Sequence, residues 1–82
     1  MLEFRFDVGD ALERAGFTAY TAKKSGLIGQ SAYQKIKAGD MGLTLKSLNT
    51  ICMILDMQPK DILVYKEDEQ DRKSLEKIKK RP

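Results

Sequence analysis

The sequence predicts an all-α domain of five short helices, and three observations predict it. Apolar residues recur at spacings of three and four, as one face of a helix requires. Helix-start residues (Asp7, Thr44, Pro59) and helix-stop glycines (Gly16, Gly26, Gly39) cut those segments into short pieces. No Gly/Pro-rich or low-complexity stretch suggests a second domain, and 82 residues suffice for one modest core. Residues 1–66 are therefore assigned to the domain and residues 67–82 to a charged tail.

The first helix is expected at about residues 7–15. Phe6, Val8, Ala11, Leu12 and Ala15 share helical spacing, Asp7 caps the start and Gly16 stops it. The second covers Thr18 to Ser25, with Ala22 inward and Gly26 at its end. The third begins near Gln30 and ends by Ala38, followed by Gly39 as a C-terminal glycine. The loop DMGL leads to Thr44, an N-cap for a fourth helix at about 45–55. Along it Leu45, Leu48, Ile51, Cys52 and Leu55 build one apolar stripe. Asp56, Met57 and Gln58 turn, and Pro59 opens a fifth helix, PKDILVY. The tail carries only Leu75 and Ile78 as apolar residues, and is expected to be flexible or a frayed helix.

Charge singles out the middle of the chain. The net charge of +3 says little about partners, but Thr18 to Gly39 holds four lysines and no acid. Within that stretch the third helix has two faces. Stepping about 100° per residue from Gln30 puts Ala32, Tyr33 and Ile36 on one apolar face, with Gln30, Ser31, Gln34 and Lys35 opposite and Lys37 at the rim. A Gln amide pairs with adenine N6/N7, Lys reaches guanine or phosphate, and Ser bonds to either. Such residues are equally common on a solvated helix, and the face alone leaves both meanings open.

Composition excludes other classes. With no His, and with Cys52 on the apolar stripe, no acid–base pair, metal-ligand set or activated thiol is expected. The acids Asp7, Asp10 and Glu13 suit the start of a solvated helix and lack a second ligand set. Gly26 and Gly29 follow no strand and precede no GKS or GKT, so they form no phosphate loop. The apolar run ICMIL is too short to span a bilayer, MLEFRFDVGD is no secretory signal, and the single Cys points to a reduced, cytoplasmic setting. No enzyme activity, metal, cofactor or small-molecule effector is expected.

In order, the chain shows Ala22-x-x-x-Gly26, a turn, a polar-faced helix ending in Gly39, a capped helix, and SLNTICMILDMQPKDIL. This resembles the Cro and phage-repressor (XRE-type) helix-turn-helix family over about residues 4–66, most specifically over Leu43–Tyr65. The resemblance implies a five-helix, lambda-repressor-like domain with the second and third helices as the helix-turn-helix. It further implies a transcriptional regulator, in the first instance a repressor, that binds double-stranded DNA as a homodimer. Carried over, Gln30, Ser31, Gln34 and Lys35 would read bases, and Thr18, Lys23, Lys24 and Lys37 would contact phosphates. Thr18 stands where the family usually has Gln, Thr21 where a buried Leu is usual, and Gly29 where Ser is frequent. The span from Gly26 to Ile36 is also one residue longer than the family's pattern. Counting from Ala22 and Gly26 would bury Lys35, whereas counting back from Ile36 buries Ile28, Tyr33 and Ile36 and makes Leu27 the extra turn residue. The second count is physically cheaper.

A protein-interaction module or antitoxin built on the same fold is the competing expectation, since fold does not fix function. Met53 points away from the fourth helix's stripe and Ile54 lies between its faces, which makes the pair a candidate homodimer contact.

Overall fold

Capping chemistry sets the helix ends. In a computed structural model describing residues 1–79, Asp7 accepts from the Asp10 amide at 3.0 Å to open α1 (Val8–Arg14). Thr18 opens α2 (Ala19–Ser25), Gly29 precedes α3 (Gln30–Lys37), and Thr44 accepts from the Ser47 amide at 3.1 Å to open α4 (Leu45–Leu55). Gly39, at φ 77°, closes α3 with its own amide on Ile36 and that of Asp40 on Lys35, so the last carbonyls keep partners.

α3 packs on α1 and α2, α1 on α4, and α4 on α5 (Pro59–Ile62). Val8, Leu12, Phe17, Ala22, Ile28, Tyr33, Ile36, Ile51 and Ile62 form the buried core. Each fully buried aliphatic side chain of this kind contributes roughly 1.5–3 kcal/mol.

The all-α class holds in its main lines, with two additions. The expected fifth helix, PKDILVY, stops at Ile62, and Leu63–Tyr65 becomes a strand, β2. β2 pairs antiparallel with β1 (Leu2–Phe4), with Leu2 opposite Tyr65 and Phe4 opposite Leu63. The strand is favoured because Phe4 and Leu63 pack against the core while their backbones satisfy one another. The second addition is α6: of the tail expected to be flexible or a frayed helix, Glu69–Lys79 is helical, and residues 80–82 lie outside the described residues.

Of the expected α4 stripe, Ile51 is buried and Leu48, Cys52 and Leu55 pack half-buried against the core, but the inward face is turned towards the side of Ser47 and Thr50. Leu45 is 84% exposed, while Ser47 and Thr50 are buried beside Ile51. Their hydroxyls find local partners, Ser47 accepting from Thr44 and Thr50 donating to the Lys46 carbonyl, so polar burial costs little. Rotation carries Ile54 into partial burial against the core. Ile54 is thus half-buried, as its place between the faces of the helix suggested, and Met53 of that pair is exposed.

Candidate nucleic-acid interface

α2 is short and polar, and its position depends on what surrounds it. Thr18 caps it only loosely, 3.4 Å from the Thr21 amide. Thr21, which replaces an expected buried Leu, is half-buried and donates its hydroxyl to the Gly16 carbonyl at 3.2 Å. Ala22 is the one buried α2 residue, and it lets α3 approach closely.

The turn follows from its glycine. Gly26 adopts φ 68°, a left-handed conformation that a side chain would strain, and this ends α2. The Leu27 amide donates to Ser25 Oγ at 3.2 Å, leaving the Leu27 side chain 43% exposed on the outside of the turn. Ile28 turns inward to the core and Gly29 leads into α3.

α3 then presents the two faces its sequence requires. Tyr33 and Ile36 are buried and Ala32 is partly buried, while Gln30, Ser31, Gln34 and Lys35 are all exposed. Ile28, Tyr33 and Ile36 thus occupy the core, while Lys35 stays in water and Leu27 is exposed on the turn. Burying Lys35 unpaired would have cost several kcal/mol, by the ~2–7 kcal/mol scale for an unbonded polar group or more. The Tyr33 hydroxyl lies 3.5 Å from the Phe17 carbonyl, and the two rings are 6.3 Å apart and tilted, which ties α3 to the segment before α2.

Besides the capping Thr18, two of the expected site residues are already engaged within the protein. Gln30 Nε2 donates to the Ala19 carbonyl at 3.2 Å, so this side chain braces α3 against the start of α2. Lys37 is ion-paired with Glu13 of α1, and that hydrogen bond raises the Lys37 pKa above its ordinary value. Lys37 therefore differs from the other lysines: it points to α1, not freely outward. Among the described residues, no acid pairs with Lys23, Lys24 or Lys35.

Sequence reasoning missed Tyr20. It is 69% exposed on α2, and Lys24 Nζ lies 6.0 Å from its ring centroid. Tyr20, Lys23 and Lys24 follow the i, i+3, i+4 pattern of one helix face. That spacing was the signal available: an aromatic residue on the same ridge as two lysines.

Two helices crossing through a glycine turn, the second with a buried apolar side and an exposed Gln/Ser/Lys side, define a helix-turn-helix module. A sequence model of the Cro/C1-type HTH DNA-binding domain matches residues 21–68, more than half the chain. The chain belongs to that family: it is a DNA-binding domain of the type used in transcription regulation. Searches of curated proteins and of solved structures give no significant match. Among the described residues, no helix is long and apolar enough to cross a membrane, and no three Cys, Asp or Glu side chains cluster as a metal site would require.

Proposed function

We propose that this chain is a sequence-specific transcription regulator, a repressor, that reads the major groove of double-stranded DNA with the N-terminal half of α3. The observation that carries this is the outward face of α3, where Gln30, Ser31, Gln34 and Lys35 stand together over a core of Tyr33 and Ile36. Gln34 and Ser31 supply donors and acceptors for base edges, and Lys35 a cation for guanine or phosphate. Thr18 caps α2, and Lys23 and Lys24 are exposed on it, the helix that would cross the DNA backbone. Lys37 belongs to the α1–α3 packing first, and would reach a phosphate only by leaving Glu13. The protein works without cofactor or effector, in the cytoplasm, as a homodimer whose two α3 helices meet successive half-sites. Repression follows by occupying the promoter; no catalytic step is involved.

Selection of bound duplexes from random DNA at stated salt tests this directly. The expected product is a palindrome with half-sites about one helical turn apart. Affinity for it should fall steeply with salt as counterions are released. Binding that ignores both salt and the Gln34→Ala substitution would refute DNA reading and favour a protein partner instead.

A further inference from the structure

The exposed large apolar side chains are not scattered evenly. Among the described residues, Met1, Leu2, Tyr65, Leu75 and Ile78 lie in or beside the β1–β2 sheet or on α6 (Glu69–Lys79), while Tyr20, Leu27, Leu45 and Met53 are divided between the α2 side and α4. Leu2 and Tyr65 face one another across the strands, on the sheet face that Phe4 and Leu63 turn to the core. That face therefore continues, uncovered, beyond the core. The Met1 amino group pairs with the Asp71 carboxylate, which ties the first turn of α6 to this edge; desolvation first, and then the same carboxylate, hold Tyr65 above its ordinary pKa. Leu75 and Ile78 follow Asp71 at i+4 and i+7, on the same side of α6.

α6 itself has no buried residue. Eleven residues are too few for a stable helix in water without packing. Its first turn carries Glu69 and Asp71 and its last Lys77 and Lys79, with Arg72, Lys73 and Glu76 between them. A second helix lying parallel would set acid on acid and base on base. An antiparallel one, related by a two-fold axis across the helices, sets acid on base at both ends.

We propose that this surface is where two copies of the chain meet, with their α6 helices antiparallel and the sheet ends of Leu2 and Tyr65 completing the contact. Each copy supplies five exposed apolar residues, and these provide most of the driving force. The charges of the two end turns are exposed and contribute little energy, but they select the orientation. The rival surface on α4 exposes fewer large apolar side chains, because Ile54 packs on its own core and Leu45 and Met53 rim a groove whose Leu48, Cys52 and Met57 are half-buried against the core. This assignment deepens the dimeric part of the proposed function. It is tested without DNA, so that its failure and a failure of DNA reading are separate results.

Sedimentation equilibrium of the full chain should show a mass rising with concentration from 9.3 kDa towards twice that value. Ile78→Asp should hold the mass at 9.3 kDa while the domain's thermal transition survives, since no α6 side chain is in the core. Glu69→Lys and Lys79→Glu should each weaken association by roughly three- to tenfold, and the double variant should regain wild-type association. Met53→Asp should leave the dimer intact. A chain monomeric at every concentration overturns the proposal, as does a dimer that Ile78→Asp spares and Met53→Asp dissolves. Single charge variants as strong as wild type overturn the antiparallel arrangement.

Discussion

Gly9 and Lys37 bring the backbones of α1 and α3 into close approach: a methyl group on Gly9 would lie 3.0 Å from the Lys37 Cα. Gly9 is fully enclosed in the first turn of α1, where its missing side chain is a propensity cost of about 0.5–1 kcal/mol against alanine. That cost is offset by the approach it permits, and the Lys37–Glu13 pair closes over the same junction. α3 is thus fixed at its C-terminal end by α1 and at its N-terminal end by α2.

The first prediction concerns that junction. Gly9→Ala is expected to destabilise the fold by about 1–3 kcal/mol, because the Lys37 backbone cannot yield as a flexible side chain would. Thermal denaturation checks it. A melting temperature unchanged or raised, the result that helix propensity alone would give, would show that the two helices part easily.

The lysines should separate by their partners. Lys23 and Lys24 are unpaired and exposed, so replacing either by Met should reduce the slope of log affinity against log salt by about 0.9. Lys37→Met should leave that slope unchanged and instead lower thermal stability slightly, because its charge is already held by Glu13. Equal losses of slope at all three positions would mean that the Lys37–Glu13 pair opens on DNA.

Which parts of this architecture were legible follows from where their causes lie in the chain. Asp7, Thr18 and Thr44 act on amides three residues away, and Gly26 and Gly39 act on their own backbone, so those helix ends could be read locally. The outward face of α3 was legible because burying Ile36 and exposing Lys35 admits only one register. The strand at Leu63–Tyr65 was not, because its partner lies sixty residues away in Leu2–Phe4 and each segment has only three residues. The rotation of α4 was hidden because Ser47 and Thr50 look polar in sequence, yet bond within their own helix and become buried. The engagement of Gln30 and Lys37 was hidden for a different reason: both partners, the Ala19 carbonyl and Glu13, lie on other helices.

Asp56 offers a stabilising change. It closes α4 at φ 53°, ψ 50°, the left-handed conformation where a side chain is strained and glycine is not. Its carboxylate also sits at the negative end of the helix dipole. Asp56→Gly is therefore expected to raise stability by about 0.5–1 kcal/mol, read as a higher urea midpoint with an unchanged slope. A lower midpoint would mean that the aspartate side chain makes a contact that outweighs its strain.

Gln30 and Gln34 share an exposed face but should behave differently on DNA. Bidentate pairing with adenine needs an amide free to orient its donor and acceptor together. Gln34 meets that condition, whereas the Gln30 amide is oriented by its bond to the Ala19 carbonyl. Gln34→Ala should consequently lose discrimination at one base pair, by roughly 1–3 kcal/mol, with little change at other positions. Gln30→Ala removes the brace between α2 and α3, so it should weaken binding to every sequence by a similar factor. The two outcomes are separated by measuring affinity for the selected duplex and for its single-base variants. If Gln30→Ala instead relaxes preference at one position only, its amide must leave Ala19 in the complex, and Gln30 reads a base as Gln34 does.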